Sequence, residues 1–118
     1  MSAEQTVYAA VSASSPVTAI VADRIYSQNV PVEKTLPAVS IRRVSTEFCN
    51  TIHSSVPAGA FVTLEVACMA EKLSQTHILA DAVQLALGTA GISPQDRVYQ
   101  EETEQGLYAV VLLVKAWE

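Results

Sequence analysis

The amino-acid sequence predicts an α+β domain in which one long helix and short N-terminal helices pack on a mostly antiparallel β-sheet of about four strands. Three observations predict this class. Helical signals fill the first part of the chain, strand-like alternation begins after Pro37, and a helical period returns between Ser74 and Gly88 before two final strand patterns. A chain of 118 residues suits one domain with one core, so residues 1–118 are predicted to form a single domain.

Two short helices are predicted at the N-terminus. Ser2 opens a capping-box pattern, and apolar residues then recur at helical spacing, which predicts a helix from about Ala3 to Ala13. The serines before Pro16 are a second start signal, because serine is a good N-cap and proline fits the first helical turn. That helix is predicted to end near Asp23.

The segment Ile25–Pro37 is predicted to be an extended crossing between the helices and the sheet. Pro31 and Pro37 keep it extended and deny parts of it to sheet pairing. A preordered segment loses less conformational entropy on docking than a flexible one. The crossing is therefore a candidate for contact with a neighbouring chain.

Two strands and the long helix are predicted next. An alternating pattern runs from Val39 to about Glu47, and the turn-rich segment Phe48–Gly59 is predicted to be a loop. A long strand follows, with one face formed by Val62, Leu64, Val66, Cys68 and Ala70. The helix is predicted to span about Gln75–Leu87, with Gly88 as its C-cap glycine.

The last two strands are predicted to form a hairpin. Arg97–Thr103 and Leu107–Trp117 flank the turn Glu104-Gln105-Gly106. Residues Tyr108–Val114 are apolar on both faces, whereas a half-exposed strand alternates with polar residues. Both faces are therefore predicted to be covered, either by helices on the two sides of the sheet or by a neighbouring subunit.

Composition and charge argue against several functions. Only 16% of the residues are charged, below the roughly 25% of an ordinary soluble domain, so the chain has either a large core or a surface covered by partners. The net charge is −5, and the whole acidic excess falls in residues 60–118. This argues against nucleic-acid binding, which needs clustered Lys and Arg. Neither a signal-peptide pattern nor an apolar run of membrane-spanning length is found in the sequence.

No strong catalytic or metal-binding pattern is found in the sequence. His53 and Ser54 are neighbours in the turn-rich segment, but sequence neighbours seldom have the geometry of a nucleophile and its base. His77 is predicted to be an exposed or capping residue in the long helix. Cys49 and Cys68 lack metal-ligand spacing and are expected to be free thiols, with a disulfide between them left open. No catalytic residue, metal or cofactor is predicted.

Several stretches of the chain follow one another in a specific order. They are Tyr8–Val11, Val17–Tyr26 (ending in DRIY), Val30-Pro31, Leu36–Ile41 (LPAVSI), the helix Thr76–Leu87, and a last hairpin in which Tyr108 leads an apolar strand. Together they resemble the tail completion, or tail terminator, family of long-tailed bacteriophages. The resemblance covers nearly the whole chain, and the order of DRIY, Val-Pro and Leu-Pro-x-Val is its most specific part.

This resemblance implies a structural virion protein of a phage or prophage tail or neck, assembled in the host cytoplasm, without enzymatic activity. The implied subunit forms a hexameric homo-oligomeric ring that binds the end of the finished tail tube, stops its polymerisation and offers a surface for joining the head. The implied partners are further copies of the chain, the tail tube protein, and a head–tail connector or head-closure protein. DNA would pass through the lumen without specific binding, and no membrane is implied.

Two alternatives stay open. One is another neck or head-closure adaptor, which would co-purify with the head connector rather than with the tube protein. The other is a small hydrolase that uses His53 and Ser54, in which case replacing His53 by alanine would abolish function.

A ring needs two different complementary patches on each subunit. The crossing Ile25–Pro37 and the sheet edge near Leu107–Val114 are predicted to supply them. Arg24, Arg42 and Arg43 are predicted to pair with acidic groups of a neighbour. The candidate interface residues are Arg24, Ile25, Tyr26, Val30, Pro31, Arg42, Arg43, Tyr108, Val111 and Leu113.

Overall fold

The structure, a computed structural model, describes residues 3–22, 24–27, 37–50, 57–92, 94–102 and 107–117. They form three helices and five strands: α1 (Ala3–Ser12), α2 (Ser15–Val21), β1 (Ile25–Ser27), β2 (Ala38–Asn50), β3 (Pro57–Ala70), α3 (Leu73–Thr89), β4 (Pro94–Glu102) and β5 (Leu107–Trp117). The strands join one sheet and the helices pack on it, which confirms the predicted α+β class.

The two N-terminal helices lie where the capping signals place them. α1 buries Val7 and Val11, which are one helical turn apart. α2 contains proline in its first turn and ends two residues before the predicted end. Ala22 follows it with φ of +55°, and its backbone N–H donates to the Thr18 carbonyl over 2.8 Å. The chain turns sharply at Ala22, and Ile25 begins β1 three residues later.

The sheet has the strand order β1-β2-β3-β5-β4. β1 runs parallel to β2, and every other neighbouring pair is antiparallel. The sheet therefore has five strands rather than about four, because Ile25–Ser27 of the predicted crossing pairs with Val39–Ile41. A strand of three residues is too short to show a clear alternation in the sequence.

The segment Phe48–Gly59, predicted to be a loop, is strand at both of its ends. β2 continues to Asn50 and β3 begins at Pro57. Antiparallel pairing in the β2–β3 ladder extends the strands beyond the apolar alternation that marks them in the sequence. Residues 51–56, and the predicted turn at residues 104–106, lie outside the described residues.

β5 lies inside the sheet, between β3 and β4, so the prediction that Leu107–Val114 forms a sheet edge is wrong. β4 folds back on its outer side, with Val98 opposite Val111. The strands at the two edges are β1 and β4. Two neighbouring strands and a helix layer on one face explain why β5 is so apolar.

All three helices pack on the same face of the sheet. α1 contacts β1 and β2, α3 contacts β3, β4 and β5, and both α1 and α2 contact α3. One core cluster joins the helices to this face, through the buried strand residues Ile25, Val39, Ile41, Val62, Leu64, Val66, Cys68, Val110, Leu112 and Val114. The alternative in which helices cover both sides of the sheet is therefore wrong for the described residues.

The long helix α3 extends beyond both predicted ends, from Leu73 to Thr89. Gly88 lies within it and is not the C-cap glycine that the sequence predicts. Gly91 instead has φ of +80°, and Ile92 N–H closes the end on the Leu87 carbonyl over 2.8 Å. Among the described helices, none is long and apolar enough to span a membrane.

Candidate assembly surface

The face of the sheet turned away from the helices is called here the open face. Its central part is formed by apolar side chains from all five strands: Tyr26, Ala38, Ala67, Met69, Val98, Ala109, Val111 and Leu113. The register brings them together, since Ala67 and Val98 both lie opposite Val111 and Ala109 lies opposite Met69. No helix among the described residues covers this face.

Burial divides the open face into two regions. Ala38 and Met69 are buried, with Tyr26 and Ala109 packed against them, so this corner is shielded by its own side chains. Val98 is 39% exposed, and Leu113 is half-buried. The region around β4 and β5 therefore presents apolar surface to solvent, and covering it with another protein would be favourable.

Charged side chains border the apolar part of the open face. Arg42 of β2 pairs with Glu65 of β3 over 2.5 Å, and Lys115 of β5 lies 3.8 Å from Glu47 of β2. The Lys115 ammonium also lies 4.9 Å from the centre of the Phe61 ring. Both signs of charge are present, so the border favours a partner with mixed charge rather than a uniformly acidic or basic one.

The predicted interface residues separate onto two faces. Tyr26, Arg42, Val111 and Leu113 lie on the open face. Ile25, Arg43 and Tyr108 lie on the helix side, where Ile25 is 6% exposed and belongs to the core. Val30 and Pro31 lie outside the described residues.

The three predicted interface arginines each have partners in their own chain. Arg24 bridges α2 to the start of β2, because its Nε donates to the Pro37 carbonyl over 2.9 Å and its Nη2 to the Ile20 carbonyl over 3.3 Å. Arg43 reaches α1, where its Nη2 donates to Glu4 Oε2 over 2.9 Å. Pairing of Arg24, Arg42 and Arg43 with a neighbour's acidic groups stays a prediction.

A polar cluster joins β4 to α3 on the helix side. Arg97 Nη1 donates to Asp81 Oδ1 over 2.8 Å and to Gln84 Oε1 over 3.3 Å, while its Nη2 lies 3.3 Å from His77 Nδ1. The guanidinium also lies 5.7 Å from the centre of the Tyr99 ring. The hydrogen bond to Asp81 raises the pKa of Arg97 above its usual value, so this side chain stays charged. The arrangement fits a structural clamp, since a permanently charged guanidinium neither accepts nor releases a proton in a reaction.

His77 was predicted to be exposed or to cap the helix, and this is wrong. It is half-buried in the cluster, where its ring centre lies 5.2 Å from that of Tyr99. The helix starts at Leu73 rather than at Gln75, which moves His77 into its second turn and turns it toward β4.

Cys68 is a free, buried thiol in the core. Burial raises its pKa to about 12, against a smaller lowering effect of Arg97, so the reactive thiolate is disfavoured. Cys49 pairs with Gly59, whereas Cys68 pairs with Val39 at the other end of the β2–β3 ladder. Ten residues of strand span about 33 Å, far beyond the roughly 7 Å limit for a disulfide. The disulfide left open by the sequence is therefore excluded in this fold.

The described residues contain no group of three His, Cys, Asp or Glu side chains that could hold a metal ion. His53 and Ser54, the candidates for a hydrolase, lie outside the described part of the chain.

Sequence reasoning missed several residues of the open face, notably Met69, Ala38 and Val98. The alternation on β3 contained a usable signal, because Thr63, Glu65 and Ala67 mark one face and Met69 continues it. Ala38 and Val98 required the register with neighbouring strands, which the sequence does not provide.

Comparison with known proteins agrees with this fold. Residues 5–118 match the model of the family described as Tail completion protein gp17. A chain in the solved structure described as "Virion of native gene transfer agent (GTA) particle" superposes with a TM-score of 0.65 at 14% identity. The match covers 98% of this chain and 92% of that chain, and at this identity it shows a shared fold. A search of curated proteins finds no match. Because the family model spans nearly the whole chain, the protein belongs to the tail completion protein gp17 family and is a structural protein of a phage tail.

Proposed function

We propose that this protein is a tail terminator that works as a homo-oligomeric, hexameric ring. The ring binds the end of the finished tail tube, ends tube polymerisation and presents a surface for joining the DNA-filled head through a connector or head-closure protein. It acts without catalysis, within the virion, after assembly in the host cytoplasm. Family membership supports this role, and so does the similarity in fold to a chain from a gene transfer agent virion.

The observation that carries the proposal is the one-sided covering of the sheet. Helices cover one face, while the open face presents Val98 and Leu113 beside the buried Val111. Apolar surface gains about 25 cal/mol for each Å² removed from water, so docking on this face is favourable. We assign the open face to contact with the tail tube protein. Its mixed-charge border, with Arg42–Glu65 and Lys115–Glu47, limits which proteins fit.

A tail terminator must let DNA pass, and the charge distribution is compatible with this. The acidic excess of the chain lies in residues 60–118, which include β3, α3, β4 and β5. Acidic surface repels the phosphate backbone, so DNA would pass without specific binding.

Mass measurement in solution tests the ring. The full chain is measured alone and after mixing with the tail tube protein, by light scattering coupled to size exclusion. A hexamer in either sample, and a complex with tube protein, are expected. A chain that stays monomeric in both samples would contradict the proposal.

A substitution on the open face of the sheet and a control substitution on helix α3 test the role of the open face. Leu113→Asp places a charge on it, and Leu85→Asp is the matched control because Leu85 is a 66% exposed apolar residue on α3. If both variants keep the melting temperature of the unsubstituted protein, Leu113→Asp is expected to lose binding to tube protein. Leu85→Asp is expected to keep it. Val98→Asp repeats the test at a more exposed open-face position, in case Leu113→Asp does not fold. Loss of binding in the Leu85→Asp variant alone would place the contact on the helix layer instead.

The alternative is another neck or head-closure adaptor. The protein that co-purifies with the chain distinguishes this role from that of a tail terminator. A connector that binds in place of tube protein would favour this alternative and would keep the structural, non-enzymatic role.

A further inference from the structure

Arg24, the residue before β1, connects two other elements at one corner of the sheet. Its backbone N–H donates to the Val21 carbonyl at the end of α2 over 2.9 Å, and its Nη2 donates to the Ile20 carbonyl over 3.3 Å. Its own carbonyl accepts from the backbone N–H of Val39 over 3.0 Å, and its Nε donates to the Pro37 carbonyl over 2.9 Å. One half-buried residue therefore links the end of α2 to the start of β2.

The short strand β1 gains from these bonds. It has 3 residues and pairs with β2 in parallel, which is the slightly weaker kind of pairing, so its own ladder contributes little. Ile25 is buried in the core, and Tyr26 lies on the open face. The hydrogen bond between Arg24 and Pro37 joins positions 13 residues apart, so it opposes the entropy that the chain gains when β1 leaves β2. The Arg24 side chain therefore helps to hold β1 in the sheet.

Tyr26 is the side chain of the open face that depends on the position of β1. It is half-buried and packs against Ala38 and Met69, with Ala109 beside them. A tyrosine offers a partner both an apolar ring and a hydroxyl group, and tyrosines are enriched among the residues that dominate the binding energy of protein interfaces. If β1 leaves the sheet, the open face loses its tyrosine.

We propose that Arg24 is a positioning residue for assembly, which holds β1 so that Tyr26 is presented on the open face to the tail tube protein. Arg24, Ile25 and Tyr26 then have three successive roles: a hydrogen-bonding link, a core residue and a surface contact. The inference rests on the proposed function, which assigns the open face to tube protein. It adds a specific contact on that face and the residue that positions it.

The size of each effect follows from this indirect role. Tyr26→Ala removes the contact itself and is expected to lower the affinity for tube protein about tenfold. A surface that is formed in only a fraction of the molecules binds with an affinity lowered accordingly, so Arg24→Ala is expected to cost less than Tyr26→Ala, about fivefold. Arg24→Lys keeps a donor without the planar fork that reaches both carbonyl groups, and a loss of about threefold is expected.

A double-mutant cycle on the full chain tests the inference with a readout that a general loss of stability does not change. The affinity for purified tail tube protein is measured by calorimetry for the unsubstituted chain, Arg24→Ala, Tyr26→Ala and the double variant. The temperature is one at which circular dichroism shows every variant to be folded. Arg24→Ala is expected to lower the affinity in the unsubstituted chain and to cause no further loss in the Tyr26→Ala chain. If Arg24→Ala does not fold, Arg24→Lys replaces it in the same cycle.

Glu4→Gln is the matched control for the cycle. Glu4 accepts from Arg43 Nη2 and so connects α1 to β2, as Arg24 connects α2 to β2. Its substitution weakens a comparable link between a helix and the same strand without acting on β1. Glu4→Gln is therefore expected to change the affinity for tube protein by the same factor in the unsubstituted and the Tyr26→Ala chains.

The outcomes separate this inference from the proposed function. An equal loss from Arg24→Ala in both chains would show that Arg24 acts without Tyr26 and would overturn the inference, as would full affinity of either single variant. In these cases the proposed function stands as long as Leu113→Asp loses binding to tube protein. An unsubstituted chain that does not bind tube protein would overturn both.

Discussion

Arg97 on the edge strand β4 and Asp81 on α3 form an ion pair with 2.8 Å between Nη1 and Oδ1. The pair connects the outer strand to the helix layer, and the Arg97 guanidinium also packs beside Tyr99. Among the described residues β4 has a neighbouring strand only on one side, and this ion pair is one of its few contacts with α3.

Arg97→Ala is expected to lower the free energy of unfolding by about 1–2 kcal/mol, because both the ion pair and the packing on Tyr99 are lost. Asp81→Asn keeps the packing and removes only the charge of a largely exposed carboxylate, so a loss below about 1 kcal/mol is expected. Urea unfolding followed by circular dichroism measures both. An equal loss in the two variants would show that packing of the Arg97 side chain contributes nothing.

Glu4→Gln is expected to destabilise the chain by about 1–2 kcal/mol, because it weakens the ion pair with Arg43 that joins α1 to β2. Both side chains are mostly buried, with 15% of Glu4 and 30% of Arg43 exposed. Glu47→Gln removes a 75% exposed carboxylate and is expected to change stability by less than about 0.5 kcal/mol. Equal effects of the two substitutions in urea unfolding would contradict this ranking.

Ala22→Gly is expected to stabilise the chain by about 1 kcal/mol, because Ala22 has φ of +55°, a strained conformation for a residue with a Cβ atom. Ala19→Gly is the control, since Ala19 is exposed inside α2 and glycine costs about 1 kcal/mol in a helix. Thermal unfolding should therefore show opposite shifts in melting temperature. A lower melting temperature for Ala22→Gly would show that the positive φ carries no strain.

Cys68 is expected to make the chain less stable at high pH. Burial raises the pKa of the thiol from 9.0 to about 12, so the folded protein favours the neutral form. The stabilising contribution is complete below pH 9 and is lost as the pH rises toward 12, because the unfolded chain releases its proton first. In a Cys49→Ser background, unfolding free energy between pH 8 and 11 should fall more steeply with Cys68 than with Cys68→Ala. If the unfolding free energies of the two proteins fall equally with pH, the raised pKa of Cys68 is contradicted.

Local signals in the sequence predicted the helices and the long strands well. The capping box at Ser2, the proline at residue 16 and the apolar alternation of β3 each depend on neighbours along the chain, and each element is confirmed. The bounds of β5 are confirmed as well, since apolar residues fill Leu107–Val114 and no turn residue follows before Trp117. The order of motifs also predicted the family, which the match to residues 5–118 confirms.

Features that depend on distant contacts were not predicted. β1 exists because Ile25–Ser27 lies beside β2, and a segment this short has no periodicity of its own. Arg43 points to α1 while Arg42 points to the open face, and the bulge that follows them also changes the register of the rest of β2. The position of β5 inside the sheet depends on which side of it β4 folds back, and the sequence pattern contains no information about that choice.

The length of tails in particles made without this protein tests the central claim most directly. Electron microscopy of such particles is expected to show tubes of uncontrolled length without attached heads, and adding the purified full chain is expected to stop further growth. Tails of normal length joined to heads in the absence of the protein would contradict the proposed role as a tail terminator.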